Sequence, residues 1–276
     1  MAQDPRGSIA PSGGSMSRDT AELAQLPLPF PLEPSARFET YVAGENGALL
    51  AHLSSFSIGD ASVTGPVWLW GAAGCGRTHL LQASCAAGML GKAMYVPLAE
   101  LPAPDRLEGL DSLAVVALDD VDAVAGDPAW DHALFGLFNA VQSEGVRLLC
   151  AARCAPGGLN FSLPDLSSRA SGAVVYHIRN LSDEDLLVAL QTHARFRGVE
   201  LPESSARFLL HRAHRDMGAL CRWLDTLDRA SLAAQRKLTI PFIRSHLAGW
   251  LSARGGCDTL ALALSNYSHE IRHAQR

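Results

Sequence analysis

Three glycines, an arginine and a threonine in the run Gly71-Ala-Ala-Gly-Cys-Gly-Arg-Thr78 have the types and spacing of a loop that holds phosphate. Gly71, Gly74 and Gly76 let backbone N–H groups close around phosphate oxygens, and the N-terminus of a following helix adds a favourable dipole. Thr78 supplies a hydroxyl suited to a magnesium ion. A short apolar run, Val67-Trp-Leu-Trp70, precedes the loop and a helix-like run from His79 follows it, which is the strand–loop–helix setting such a motif requires. The lysine usual before the threonine is Arg77 here. Arginine keeps the charge, but it is planar and bulkier than the compact ammonium that bridges β- and γ-phosphates. The loop therefore predicts nucleotide binding without fast hydrolysis.

Asp119 and Asp120 follow the apolar run 113–118, about 40 residues after the loop. In phosphate-loop proteins one carboxylate there serves magnesium and a second orients water. Asp119 takes the metal role with Thr78, while Asp120, a methylene shorter than glutamate, has poor reach to an attacking water. Arg153 closes the apolar run 146–151, where a side chain either senses a γ-phosphate or points to solvent. Arg169 falls in a short polar segment, Leu163-Pro-Asp-Leu-Ser-Ser-Arg169, read as a turn between elements. Arg215 begins a helical stretch, positioned to reach a nucleotide held between two domains.

The elements that must hold these residues are legible as texture. Near-continuous apolar strands are expected at 66–70, 93–96, 113–118, 146–151 and 173–178, separated by helical stretches. That pattern predicts a parallel sheet covered on both faces. A helix is expected over 128–143. From Ser182 a capping-box-like start opens a helix to about Arg197, followed by helices at 203–214, 217–235 and 242–251. The expectation is an α/β nucleotide-binding domain over 36–180 and a small α-helical domain over 181–250. Residues 251–276 form a C-terminal extension of unassigned structure. Residues 1–35 are expected to be disordered, and Gln25-Leu-Pro-Leu-Pro-Phe-Pro-Leu-Glu-Pro34 within them to be polyproline-like and extended.

The bulk numbers exclude several classes. At 276 residues, 48% hydrophobic and 18% charged, the composition is that of a soluble globular chain. No apolar run approaches the ~20 residues of a membrane span, and no signal peptide is evident, so a cytoplasmic protein is expected. A formal net charge of −5 argues against a DNA-wrapping surface. Six cysteines lack metal-ligand spacing and read as reduced thiols.

Together these residues resemble the DnaA-type AAA+ ATPases, most closely their Hda-like regulatory branch. Gly76-Arg-Thr-His-Leu-Leu81, which brings His79 into the nucleotide-binding set, is similar to the family's phosphate loop. Phe38-Glu-Thr-Tyr-Val-Ala-Gly-Glu-Asn46 is similar to its opening motif beside the adenine, and Gln235-Arg-Lys-Leu-Thr-Ile-Pro-Phe242 to a string in its helical lid. The resemblance implies an AAA+ core with a lid, ADP or ATP with Mg2+, and Arg215 as the lid sensor. It makes Arg169 the arginine finger, catalytic in trans on ATP bound to DnaA. It also makes Gln25, Leu26, Leu28 and Phe30 the peptide that grips the DNA polymerase sliding clamp. The family carries aspartate where this chain has Arg153, and DnaA's DNA-binding domain has no counterpart here, so sequence-specific DNA binding is not expected. The implied function is an ADP-bound, clamp-tethered negative regulator of replication initiation, with a homo-oligomer left open. Two other readings remain: a free-standing ATPase or loader, and a non-enzymatic anchoring adaptor.

Overall fold

The computed structural model describes residues 30–61, 63, 65–88, 92–212 and 217–253, the side chains of 247–253 excepted. Gln25, Leu26, Leu28 and Arg215 lie outside the described residues, as do 1–24 and 254–276.

Five parallel strands form one sheet: β1 (Val67–Trp70), β2 (Ala93–Pro97), β3 (Val115–Asp119), β4 (Arg147–Ala152) and β5 (Val174–His177). Their spatial order is β2-β3-β4-β1-β5. Each lies where the apolar runs placed it, because a strand buried on both faces needs apolar residues at every position. The alternation sorts them by face. Trp68, Val116, Leu118, Leu148 and Cys150 pack into one core under α3 (Pro128–Ser143) and α4 (Pro164–Ser171). Val67, Leu69, Ala117, Leu149 and Ala151 pack into a second core under α1 (Gly47–Ile58) and α2 (Arg77–Ala87). The edge strand β5 is the exception, with Val174 and Val175 exposed.

Local chemistry fixes the ends. Asp127 accepts hydrogen bonds from the backbone N–H of Ala129 and Trp130 at the start of α3, with Pro128 in the first turn. Ser182 does the same for α5 (Asp183–Phe196), whose first turn carries Asp183, Glu184 and Asp185. Three more helices, α6 (Glu203–Leu210), α7 (Met217–Ala234) and α8 (Ile240–Ala253), pack with α5 around a third core that includes Leu190, Leu209, Leu220, Leu224 and Ile243. Helix α6 ends four residues before the expected 214, and α8 begins at Ile240, placing Pro241 inside its first turn, where a missing N–H costs nothing.

Two expectations are corrected. Residues 30–35 are not disordered: Phe30 and Leu32 pack on the α1/α2 core, and the Glu33 N–H donates to Oε1 of Gln82 at 3.0 Å. The proline spacing that suppresses helix and sheet does not prevent an extended strap from docking through its apolar side chains. The segment 163–169 is not a turn either, since Pro164 at the first helical position nucleates α4 and puts Arg169 in its last turn.

Candidate nucleotide site

The phosphate loop follows β1, which is flanked by β4 and β5, so it opens at the C-terminal end of the sheet. Gly74 and Gly76 adopt φ of +79° and +99°, conformations that L side chains rarely take. A Cβ on Gly76 would also stand 3.0 Å from Cε2 of Tyr41. The loop thus turns directly into α2 with Gly76 as its N-cap, and no side chain caps that helix. Its first N–H groups are left facing the loop, as anion binding requires.

The side chains behind the loop are joined by short contacts. Thr78 Oγ1 donates to Oδ2 of Asp119 at 2.6 Å, and Tyr95 OH donates to the same oxygen at 3.0 Å. The other Asp119 oxygen accepts the backbone N–H of Asp120 at 3.0 Å. Asp119 is only 2% exposed, so these three donors account for a carboxylate held almost entirely away from water. Asp120 has φ of +52°, a left-handed conformation that aspartate tolerates better than most residues. Its Oδ1 lies 3.7 Å from Nη2 of Arg77. Burial and the neighbouring charge of Asp119 push the Asp120 carboxyl above its usual range, and Arg77 opposes the shift. Nη1 of Arg77 is buried without a hydrogen-bond partner.

These features are those expected of residues built around a phosphate. A buried guanidinium N–H without an acceptor is costly unless a ligand supplies one. The Gly76 cradle has no room for a side chain. Thr78 and Asp119 present adjacent hard oxygens of the kind magnesium takes. Among the described residues no group of three or more His, Cys, Asp or Glu has the arrangement of a metal site.

The remaining walls come from two places. A cleft of about 250 Å³ is lined by Gly74, Gly76, Arg77, Thr78 and His79 from the loop and by His193, Met217, Gly218 and Cys221 from the helical part. His79 and His193 meet edge to face at 5.5 Å, and Nε2 of His79 lies 2.9 Å from the Arg37 carbonyl. Burial lowers the affinity of both rings for protons, and His193, which also faces His79 and Arg197, titrates at about 4. The N-terminal strap closes the same side. Arg197 of the helical part reaches Asp225 at 2.7 Å and Oγ of Ser35 at 3.4 Å.

Arg153 does not face the loop. Its backbone N–H and Nε pair with Asp122 at 2.9 and 3.4 Å, and its side chain is 76% exposed. Arg169 is elsewhere altogether. Its guanidinium sits 5.5 Å from the centre of the Phe135 ring, at a hollow of about 570 Å³ that Pro66, Gln142, Asp165 and Gly172 help to line. Pro66 precedes β1 and Gly172 precedes β5, so this hollow is at the end of the sheet opposite the phosphate loop. Phe30, the one described residue of the clamp peptide, is half-buried against the α1/α2 core.

Sequence reasoning missed Tyr95, His193 and Asp122. Tyr95 had a signal: it stands opposite Ala117 in the ladder, two residues before the Pro97–Asp119 pair and on the same face. His193 had none, being one more residue on a periodic helix.

Residues 32–93 match the family model described as the bacterial DnaA ATPase domain, and residues 183–247 match the Hda lid domain. Domain III of the Thermotoga maritima replication initiation protein DnaA is similar over 80% of this chain and 98% of its own, with a TM-score of 0.65 at 19% identity. AMPPCP-bound DnaA from Aquifex aeolicus is similar over 70% and 66%, with a TM-score of 0.56 at 21% identity. The Thermotoga maritima RuvB Holliday junction branch migration motor shares the fold over 73% and 66%, with a TM-score of 0.54 at 14% identity.

Proposed function

From the premise that the chain is a DnaA- and Hda-related protein with an AAA+ core and a helical lid, we propose that it is an ADP-bound negative regulator of replication initiation. Tethered to the DNA-loaded sliding clamp in the cytoplasm, it stimulates ATP hydrolysis by DnaA. The backbone N–H groups of the loop, with Arg77 and His79, hold the nucleotide. Thr78 and Asp119 hold Mg2+, and Arg215 reaches the nucleotide from the lid. Bound ADP supplies an anchor that joins core to lid. Asp120, short and drawn toward Arg77, is badly placed to orient water, so turnover by the chain itself is slow.

The observation that carries this reading is the position of Arg169. It is remote from its own phosphate loop yet at an open hollow, with a ring beneath it to set its direction. A guanidinium so placed serves charge developing on a neighbour's phosphate, not its own. Gln25, Leu26, Leu28 and Phe30 form the clamp-binding peptide, whose prolines restrict the chain and so reduce the entropy lost on docking, with Phe30 leaving its place on the α1/α2 core to engage the clamp. Beyond the clamp and DnaA no membrane partner is proposed, and no helix among the described residues is long and apolar enough to cross a membrane.

A reconstitution tests this. ATP-bound DnaA is mixed with clamp loaded on DNA, ADP and the full chain, and ADP formation on DnaA is followed. Stimulation is expected with all components and is lost when Gln25 and Leu26 are changed to alanine. DnaA hydrolysis that is indifferent to the chain overturns the proposal.

A further inference from the structure

We infer that Asp120 is a specificity-determining residue, which disfavours a nucleoside triphosphate relative to a diphosphate by occupying one arm of the Arg77 guanidinium. The inference rests on the nucleotide-binding reading above and names the residue that sets its preference.

Arg77 has two terminal nitrogens in different circumstances. Nη1 is buried without a partner, and Nη2 faces Oδ1 of Asp120 at 3.7 Å. The guanidinium side chain is 11% exposed and that of Asp120 is 38% exposed, so the pair sits at the mouth of the site with the arginine inside. A guanidinium is a planar fork that serves two oxygens together. Here the inner arm is open to a phosphate and the outer arm is committed to a carboxylate. An anion with one terminal phosphoryl group beside the loop satisfies the orphaned Nη1 without disturbing Asp120. A longer phosphate chain needs the outer arm as well, and must compete with Asp120 for it.

The surrounding charges sharpen this competition. Asp119 and Asp122 both act on Asp120, so like charge already gathers beside the carboxylate that a longer phosphate chain must displace. Arg153, the other guanidinium that acts on Asp120, is drawn outward by Asp122 at 3.4 Å and by its own exposure. The backbone of Asp120 is held: its N–H is bound to Asp119, and its φ of +52° is one that few residues adopt.

Isothermal titration of the full chain with ADP and with ATP, both in magnesium, tests the inference. Wild type is expected to prefer ADP. Asp120→Asn keeps a residue that tolerates left-handed backbone and removes the charge. It is expected to tighten ATP about fivefold while ADP changes less than about twofold. Asp120→Gly also suits the left-handed backbone and removes the carboxylate, and is expected to shift the ADP-to-ATP ratio in the same direction. It carries the test if Asp120→Asn loses its circular-dichroism spectrum. A ratio unchanged in the folded variants overturns the role of Asp120 while leaving nucleotide binding intact. Failure of wild type to bind either nucleotide overturns the nucleotide reading itself, and the inference with it.

Discussion

The phosphate-loop cleft and the Arg169 hollow lie at opposite ends of one sheet and are built in opposite ways. At the cleft the polar groups are bound to one another: Thr78 and Tyr95 to Asp119, Asp119 to the Asp120 N–H, Arg77 toward Asp120. Every pairing lowers the mobility of its members and excludes water. At the hollow Arg169 is half-buried, with its guanidinium 5.5 Å from the centre of the Phe135 ring and Asp165 and Ser168 lining the same open space. The difference is that Arg77 is buried, with one nitrogen facing a carboxylate and the other without a partner, whereas Arg169 stands at an open hollow. On the proposed reading the first retains a ligand and the second delivers a charge to a neighbour.

The largest expected effect separates the two sites. Arg169→Ala should lower stimulated hydrolysis on DnaA by ~10³-fold or more, the scale of an arginine delivered in trans. The ADP affinity of the variant, measured by titration calorimetry, should be unchanged. Loss of both together would mean that the two ends are not independent.

The cleft makes a pH prediction through His193. Its proton affinity falls from an ordinary value of 6.5 to about 4, because burial and the neighbouring His79 and Arg197 disfavour the charged ring, with Asp225 opposing. A depressed histidine stabilises the fold fully above the unfolded value and loses that contribution as pH falls from 6.5 toward 4. The loss amounts to about 3 kcal/mol. Urea midpoints measured across this window should drop more for wild type than for His193→Leu.

Gly76→Ala attacks the cleft alone. Its φ of +99° and the 3.0 Å approach to Tyr41 leave no place for a methyl group. A penalty of about 2 kcal/mol on the fold is expected, seen as a lower melting temperature, and ADP binding should weaken because the methyl group disturbs the turn that aims the loop N–H groups. A variant that still folds should retain the Arg169 geometry.

The smallest effect is at the hollow. Phe135→Leu keeps apolar packing on α3 but removes the π face under Arg169. A contact of that kind contributes about 0.5–1 kcal/mol, so stimulated hydrolysis should fall about threefold with ADP binding unaffected. Single-turnover hydrolysis on DnaA reads the difference.

Much of this was written in the chain. Continuous apolar runs marked β1 to β4 because a strand covered on both faces has no polar side to show, while β5 carries the same pattern at an exposed edge. Ser182 marked a helix start because a free N–H needs a nearby acceptor. The glycines at 74 and 76 marked the loop because nothing else adopts those angles without strain. Such signals are local, and each is decided by the residue and its neighbours in sequence.

What only the tertiary structure decided is which charge meets which. Arg77 and Asp120 stand far apart in sequence, and Arg153 and Asp122 are separated by α3, yet each pair is joined by the parallel register of β1, β3 and β4. The strap was legible as extended up to Pro34 but not as docked, since its anchors come from Gln82 and His79 of α2 and from Arg197 just after α5. Arg169 was legible as a motif residue, while its distance from its own phosphate loop came from α4 carrying the chain back to the start of β5. Residue types set what each group is able to do. Side-chain direction and the crossing of the chain determine what it does it to, because electrostatic and hydrogen-bond energies depend on separations of a few ångströms that no local pattern encodes.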